Sequence, residues 1–109
     1  MTGPVDPGVL RMRLEFLVLV EAPDGQGGFA TEWVKQFDVW ASLRPAGASN
    51  SERASTRHSV TSYEVVLRKR DGVAPGHRFR LGARLFEIDT AYDPDETGRY
   101  LVCRCRELQ

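Results

Sequence analysis

The sequence predicts an all-β protein, a small antiparallel β-barrel or sandwich of about six strands with a long inserted loop. Two observations predict this class. Runs in which apolar and polar residues alternate have the length of strands, and clusters of glycine, proline and aspartate separate them at regular intervals. With 109 residues, of which 41% are hydrophobic and 28% charged, the chain suits one globular domain over 1–109.

The first strand is predicted over residues 13–21. Its alternation places four apolar side chains on one face, Leu14, Phe16, Val18 and Val20. Leu17 and Leu19 lie on the other face, so both sides of this strand are expected to be covered. The segment APDGQGG, 22–28, follows as a turn, because Asp-Gly and Gly-Gly readily adopt positive φ.

The second strand is predicted over residues 31–43. One face carries five apolar side chains, Trp33, Phe37, Val39, Ala41 and Leu43. Trp40 lies alone among polar residues on the opposite face. A large aromatic side chain in that position indicates a contact with another subunit, and packing under a local loop explains it equally well.

Four further strands complete the pattern. They are 61–70, with Tyr63, Val65 and Leu67 facing inward, followed by 77–82, 84–92 and 99–108. The turns at 71–76 and 93–98 contain Asp-Gly, Pro-Gly and Asp-Pro-Asp. Short strands joined by such turns are typical of an antiparallel barrel or sandwich.

The inserted loop is predicted over residues 45–58, where nearly all side chains are small or polar and none could anchor a core. Ser49 followed by Glu52 fits a capping box, which is compatible with a short helix over 50–56. Such a helix has no apolar stripe and is too short to be stable alone in water. Residues 1–9, with two prolines and two glycines, are predicted to form an extended arm.

Charge and composition do not point to a nucleic-acid or membrane partner. Acidic and basic residues balance at 15 each, so the net charge gives no argument for binding nucleic acid or an anionic membrane. The longest apolar run, 16–20, is far too short to span a bilayer, and no signal peptide is visible. These features predict a soluble protein made in the cytoplasm.

No set of residues assembles into a catalytic or metal site. Cys103 and Cys105 point to the same face of a strand, a poor geometry for a disulfide, and two thiols are too few for structural zinc. They are interpreted as small core residues. His58 and His77 lack a metal-ligand spacing, and the acidic segment 89–98 has its glycine and final glutamate at the wrong positions for calcium. We therefore expect no enzyme activity and no cofactor.

Several motifs, taken in order, resemble the phage head–tail joining proteins, also called head-closure or stopper proteins. DPGVLRMRLEFLV, 6–18, is similar to the opening of that family before its first strand. DGQGGFATEW, 24–33, is similar to its glycine hairpin followed by a strand tryptophan. VWASLRPAGASNSER, 39–53, is similar to a Trp-Ala and Arg-Pro segment that leads into a small polar stretch, and 65–108 matches the end of the family.

The resemblance covers residues 6–108 and implies a small β-barrel with a long inserted loop. The sequence departs from the family pattern at one point. An Arg-Glu pair often follows directly after Pro-x-x-Gly in the family, whereas here the glutamate arrives later, at Glu52.

The resemblance implies a structural component of the neck of a tailed phage or of a phage-like gene transfer agent, assembled in the bacterial cytoplasm. Such proteins form a ring beneath the portal and its adaptor, close the DNA exit channel and provide the docking surface for the tail. The implied partners are other copies of the chain in a hexamer, the portal-adaptor protein, and a tail terminator or tail tube protein. Packaged double-stranded DNA passes through without sequence-specific contact, and no membrane partner is implied.

Two sets of residues are predicted to make these contacts. The inserted loop would face the channel and its DNA through Glu52, Arg53, Arg57 and His58. Its polar groups favour a wet environment, because burying each of them unpaired costs roughly 1–3 kcal/mol. The outward residues Trp40, Leu17 and Leu19 are the predicted subunit contacts.

An alternative from a different class is a monomeric β-barrel that binds an oligosaccharide or single-stranded nucleic acid. A single-strand binder presents aromatic residues between basic ones along an exposed sheet face. Most aromatic residues here fall on the predicted core face, which disfavours that alternative.

Overall fold

The computed structural model describes residues 10–46 and 62–108, and these residues form six β-strands and no helix. The strands are β1 (Met12–Pro23), β2 (Phe29–Pro45), β3 (Ser62–Arg68), β4 (Arg78–Leu81), β5 (Arg84–Tyr92) and β6 (Tyr100–Leu108). They close into a barrel in the order β1-β2-β3-β6-β5-β4, with all neighbours antiparallel. The predicted antiparallel barrel of about six strands is confirmed. Within these residues, no helix is long and apolar enough to cross a membrane.

The connection between β2 and β3 contains the predicted inserted loop. The Ala46 N–H donates to the carbonyl of Ser62 at 2.9 Å, so the chain leaves and re-enters the barrel at adjacent positions. The predicted helix over 50–56 and the arm over 1–9 lie outside the described residues. So do the four residues predicted to face DNA, Glu52, Arg53, Arg57 and His58, whose role stays a prediction.

Three phenylalanines from three strands, Phe16, Phe79 and Phe86, are fully buried at the centre of the barrel. Phe16 stacks on Phe37 with ring centroids 4.8 Å apart, and Tyr63 meets Phe86 edge-on at 5.2 Å. Burying one phenylalanine side chain contributes roughly 1.5–3 kcal/mol. The other buried members of the core are Leu14, Val39, Ala41, Val65, Leu67, Ile88, Leu101, Cys103 and Cys105. The inward positions predicted in β3 and the core position of both cysteines are confirmed.

The pairing of β1 with β2 leaves out one residue of β2, Gln36, which has no partner in β1. Such a β-bulge changes which face the residues beyond it occupy. Trp33, predicted to share the core face with Phe37, therefore lies on the outer face, opposite Leu19. The prediction for Trp33 was wrong because alternation in a sequence carries no mark of a single extra residue.

Leu17, predicted as an outward subunit contact, is only 2% exposed. Its register does place it on the outer face, between Lys35 of β2 and Arg78 of β4. The Arg78 guanidinium lies over the Trp33 ring, 4.0 Å from its centroid. The stems of long charged side chains cover apolar surface in this way. Leu17 therefore has almost no surface to offer a partner.

The hairpin of β1 and β2 extends past the barrel wall. β1 pairs with β4 only over residues 15–17, and β2 pairs with β3 only over 41–45. Beyond those levels, 18–23 and 29–34 pair only with each other among the described residues. We call residues 18–34 the ribbon.

Candidate functional site

Two of the predicted contact residues lie on the described surface. Trp40 is 59% exposed and Leu19 is 49% exposed, although both are large and apolar. They belong to different surfaces: Trp40 lies opposite Arg13 near the start of β1, and Leu19 lies in the ribbon. Clusters of exposed large apolar side chains, unlike single ones, mark contact sites on a protein surface.

An open cavity of about 490 Å³ lies beside Trp40. β3 ends at Arg68 while β2 continues past Trp40, so the cavity lies where β2 no longer has β3 as a neighbour. We call it the Trp40 pocket. Its lining residues are Leu10, Asp38, Val39, Trp40, Leu67, Arg68, Lys69 and Arg70.

One side of the Trp40 pocket is basic. Arg68, Lys69 and Arg70 are consecutive, and none of them has a carboxylate within ion-pair distance among the described residues. The Arg70 guanidinium lies 3.6 Å from the centroid of the Phe37 ring, and that of Arg68 lies 5.8 Å from the Tyr100 ring. Stacking on rings holds a guanidinium in place without neutralising it. The pocket therefore combines apolar lining with uncompensated positive charge.

The acidic residue of the pocket, Asp38, is already neutralised from the other side. Its carboxylate accepts a hydrogen bond from Arg13 at 3.1 Å and lies 3.3 Å from the Lys35 ammonium. The hydrogen bond from Arg13 is the main cause that lowers the pKa of Asp38 below its ordinary value, with Lys35 adding to it. Asp38 is therefore ionised at neutral pH and committed to these two cations.

The ribbon is the second surface, and it is apolar and acidic. Phe29 is 70% exposed, and Val34 is 36% exposed. Leu19, Glu21 and Phe29 share the outer face of the ribbon, as the pairs Leu19–Trp33, Glu21–Thr31 and Pro23–Phe29 show. Residues 18–34 contain three acidic residues, Glu21, Asp24 and Glu32, and no lysine or arginine.

The turn at the tip of the ribbon is built by Asp24. Its carboxylate accepts hydrogen bonds from the backbone N–H groups of Gln26, at 2.7 Å, and Gly28, at 3.1 Å. The Gln26 bond is the largest cause that lowers the pKa of Asp24. Gly25 and Gly27 have φ of 84° and 87°, a region that other residues rarely adopt. The predicted turn at 22–28 is confirmed.

The histidine and cysteine side chains, which could act in catalysis or metal binding, are not part of either surface. His77 packs edge-on against Phe16, with ring centroids 5.3 Å apart, and its Nδ1 is buried without a hydrogen-bond partner among the described residues. Burial raises the pKa of the Cys103 thiol to about 12 and raises that of Cys105 as well. Within 10–46 and 62–108, no three histidine, cysteine or acidic side chains are grouped as metal ligands.

Sequence reasoning missed the Trp40 pocket and the exposed Phe29. The signals were present, as an Arg-Lys-Arg run directly after the third strand and a phenylalanine directly after Gly-Gly. That the basic run at 68–70 lies near Trp40 becomes evident only from the pairing of β2 with β3. Trp40 itself was found because a large aromatic residue stood on a polar face.

A comparison with models of protein families identifies one family. A family model described as phage head completion protein matches residues 5–108. No curated protein gives a significant match. Among solved structures, a chain from the virion of a native gene transfer agent particle is 27% identical with a TM-score of 0.65, and the alignment covers 90% of this chain and 94% of that one.

The solution structure of protein SF1141 from Shigella flexneri 2a is also similar. It is 20% identical with a TM-score of 0.72, and the alignment covers 94% of this chain and 96% of that one. At this identity the likeness concerns the fold alone, and it spans the whole barrel.

Proposed function

The chain belongs to the phage head completion protein family, and from that premise we propose that it forms a ring in the neck of a tailed phage or of a gene transfer agent particle. The ring would connect the portal and its adaptor to the tail and close the DNA channel. The observation that carries the proposal is the match of the family model to residues 5–108, which include all six strands of the barrel. The 27% identity to a chain of a gene transfer agent virion supports the same kind of particle.

The role proposed for the chain is structural rather than catalytic. Its two cysteine thiols are buried and have raised pKa values, so neither is a ready nucleophile. The surface instead offers two exposed apolar regions, around Trp40 and along the ribbon. Surfaces of that kind support a function of contact and assembly.

The proposed partners follow from the proposed position in the neck. They are further copies of the chain, in a ring of six, the portal-adaptor protein on one side, and a tail terminator or tail tube protein on the other. Trp40 and Leu19 are the proposed subunit contacts that the described surface exposes. The arm over 1–9 would lie against a neighbouring copy or the adaptor.

The inserted loop is proposed to face the channel. Its residues Glu52, Arg53, Arg57 and His58 carry the polar and charged groups of that segment. Arginine side chains bind phosphate oxygens without reading the base sequence, which suits a channel through which any packaged DNA must pass. Glu52 would limit the strength of that attraction, so that DNA is released when the tail is attached.

The proposal is tested by removing the gene and examining particles by electron microscopy. We expect DNA-filled heads without tails and a loss of DNA from heads over time, both restored when the gene is supplied from a plasmid. A tagged copy should be located at the head–tail junction. Particles that assemble complete tails and retain their DNA without the chain would contradict the proposal.

A further inference from the structure

We propose that the ribbon of one copy docks in the Trp40 pocket of the next copy. The inference rests on the proposed function, because a ring requires that copies of the chain associate. The ribbon and the Trp40 pocket, both present on every copy of the chain, are complementary in charge. The ribbon contains apolar and acidic residues and no basic residue, although Arg78 of β4 lies over its Trp33 ring, and the pocket is apolar and basic.

The ribbon has features of a segment that is completed by another chain. A two-stranded hairpin is only marginally stable in water by itself, yet 18–23 and 29–34 have no strand neighbour besides each other among the described residues. Strand edges of this kind, with their backbone N–H and C=O groups unpaired, readily accept a partner chain. The exposed side chains of Leu19 and Phe29 add apolar area on one face.

The pocket has the chemistry that this face requires. Trp40, which is 59% exposed, and the partly buried Leu10 supply apolar surface, and Lys69 and its two arginine neighbours supply positive charge. On the ribbon, Glu21 lies between Leu19 and Phe29 along the outer face. In the docked pair, Leu19 and Phe29 would contact the apolar lining of the pocket. Glu21, which lies between them, would meet the three basic residues at 68–70.

The apolar lining of the pocket favours a protein segment over DNA as its occupant. Phosphates would satisfy Lys69 and the arginines, but they would leave the exposed Trp40 and the neighbouring Leu10 without contact. An exposed tryptophan beside arginine is the composition typical of the centre of a protein interface.

A contact between two different surfaces of the same chain has a direction. Each copy would give its ribbon to one neighbour and receive the ribbon of another in its pocket. Such a heterologous contact closes into a ring when a whole number of equal rotations between neighbours adds up to one full turn with no translation along the axis. The geometry of one contact therefore accounts for a ring without a second type of interface.

The test uses two full-length variants with opposite charge reversals. In the ribbon variant, Glu21→Lys makes the acidic face basic. In the pocket variant, Lys69→Glu makes the pocket more acidic and leaves the backbone bond from Lys69 N–H to the Arg99 carbonyl, at 3.0 Å, in place. Each variant alone should self-associate about tenfold more weakly than the wild type in sedimentation experiments.

The equimolar mixture of the two variants gives the decisive result. The lysine of the ribbon variant then meets the glutamate of the pocket variant, and the other contact has wild-type charges. We expect the mixture to recover wild-type association, with native mass spectrometry showing equal numbers of both chains. If instead the two surfaces do not meet, the mixture will stay as dissociated as its components, which would overturn the inference.

Three further measurements complete the test. Arg104→Glu, the same charge change at an exposed position of β6, should leave association unchanged. Trp40→Ala should weaken association by about thirtyfold or more. A wild-type chain that remains monomeric would overturn the inference, as would a Lys69→Glu chain that loses only its binding to a short DNA duplex. The proposed function would survive either result, provided that the tagged chain is still found at the head–tail junction.

Discussion

At the scale of single residues, Cys103 and Cys105 show how the barrel interior controls chemistry. Both thiols are buried in the core, and burial is the main cause of their raised pKa values, about 12 for Cys103. Because the thiolate is the reactive form, native protein at pH 8 should react with iodoacetamide far more slowly than a free cysteine. Mass spectrometry over a denaturant series should show alkylation rising together with unfolding. Rapid labelling of the native chain would contradict this prediction.

The polarity of the side chain at position 103 should also affect the free energy of unfolding. Cys103→Ser places a hydroxyl among apolar core residues and should lower the free energy of unfolding by roughly 1–3 kcal/mol. Cys103→Ala is the matched control, since it introduces no polar atom. The serine variant should be the less stable of the two in denaturant unfolding, and the reverse order would show that the site supplies a hydrogen bond.

At the scale of elements, the bulge at Gln36 determines the faces of the ribbon. Gln36 has no partner in β1, and the residues on both sides of it are already paired. Deleting Gln36 should therefore join two regular segments, keep Trp33 on the outer face and reduce the local twist. We expect a change in the free energy of unfolding of less than about 0.5 kcal/mol, the usual range of neutral surface changes.

The matched control is the deletion of Ser42, another uncharged polar residue of β2. Ser42 is paired with Val66, so its loss shifts the pairing of β2 with β3 and moves Leu43 away from the core. This deletion should cost about 2–5 kcal/mol, as the loss of a core side chain does. Equal losses of stability for the two deletions would show that Gln36 is not a tolerated insertion.

The elements also mark the limit of what the sequence predicted. All six strands, the turn at 22–28 and the inward residues of β3 followed from alternation and turn residues, because those signals are local. The face on which Trp33 lies could not be predicted in this way, since a bulge is a property of two paired strands. The Trp40 pocket was also beyond reach, because Leu10, Trp40 and the basic run at 68–70 come from three separate segments. Leu17 was placed on the correct face, and only the packing of its neighbours shows that it is covered.

At the scale of the whole molecule, the two described ends of the connection that contains the inserted loop are adjacent on the barrel. The Ala46 N–H and the Ser62 carbonyl are hydrogen-bonded at 2.9 Å, and the core cluster is formed by side chains of the six strands. The stability of the barrel and the proposed closure of the channel can therefore be separated by one change.

The separating change replaces residues 47–61 with Asn-Gly, the pair that favours a two-residue hairpin turn. Shortening a connection lowers the entropy cost of closing it, so the free energy of unfolding should stay equal or rise by up to about 2 kcal/mol. Docking between copies should persist, because the ribbon and the Trp40 pocket are untouched. In a strain without tails, however, filled heads that carry this variant should lose their DNA faster than wild-type heads, and the measurement is the fraction of filled heads over time. Full retention of DNA would remove the loop from channel closure and leave the barrel as a spacer between portal and tail. A variant that fails to fold would show that the barrel depends on the insertion.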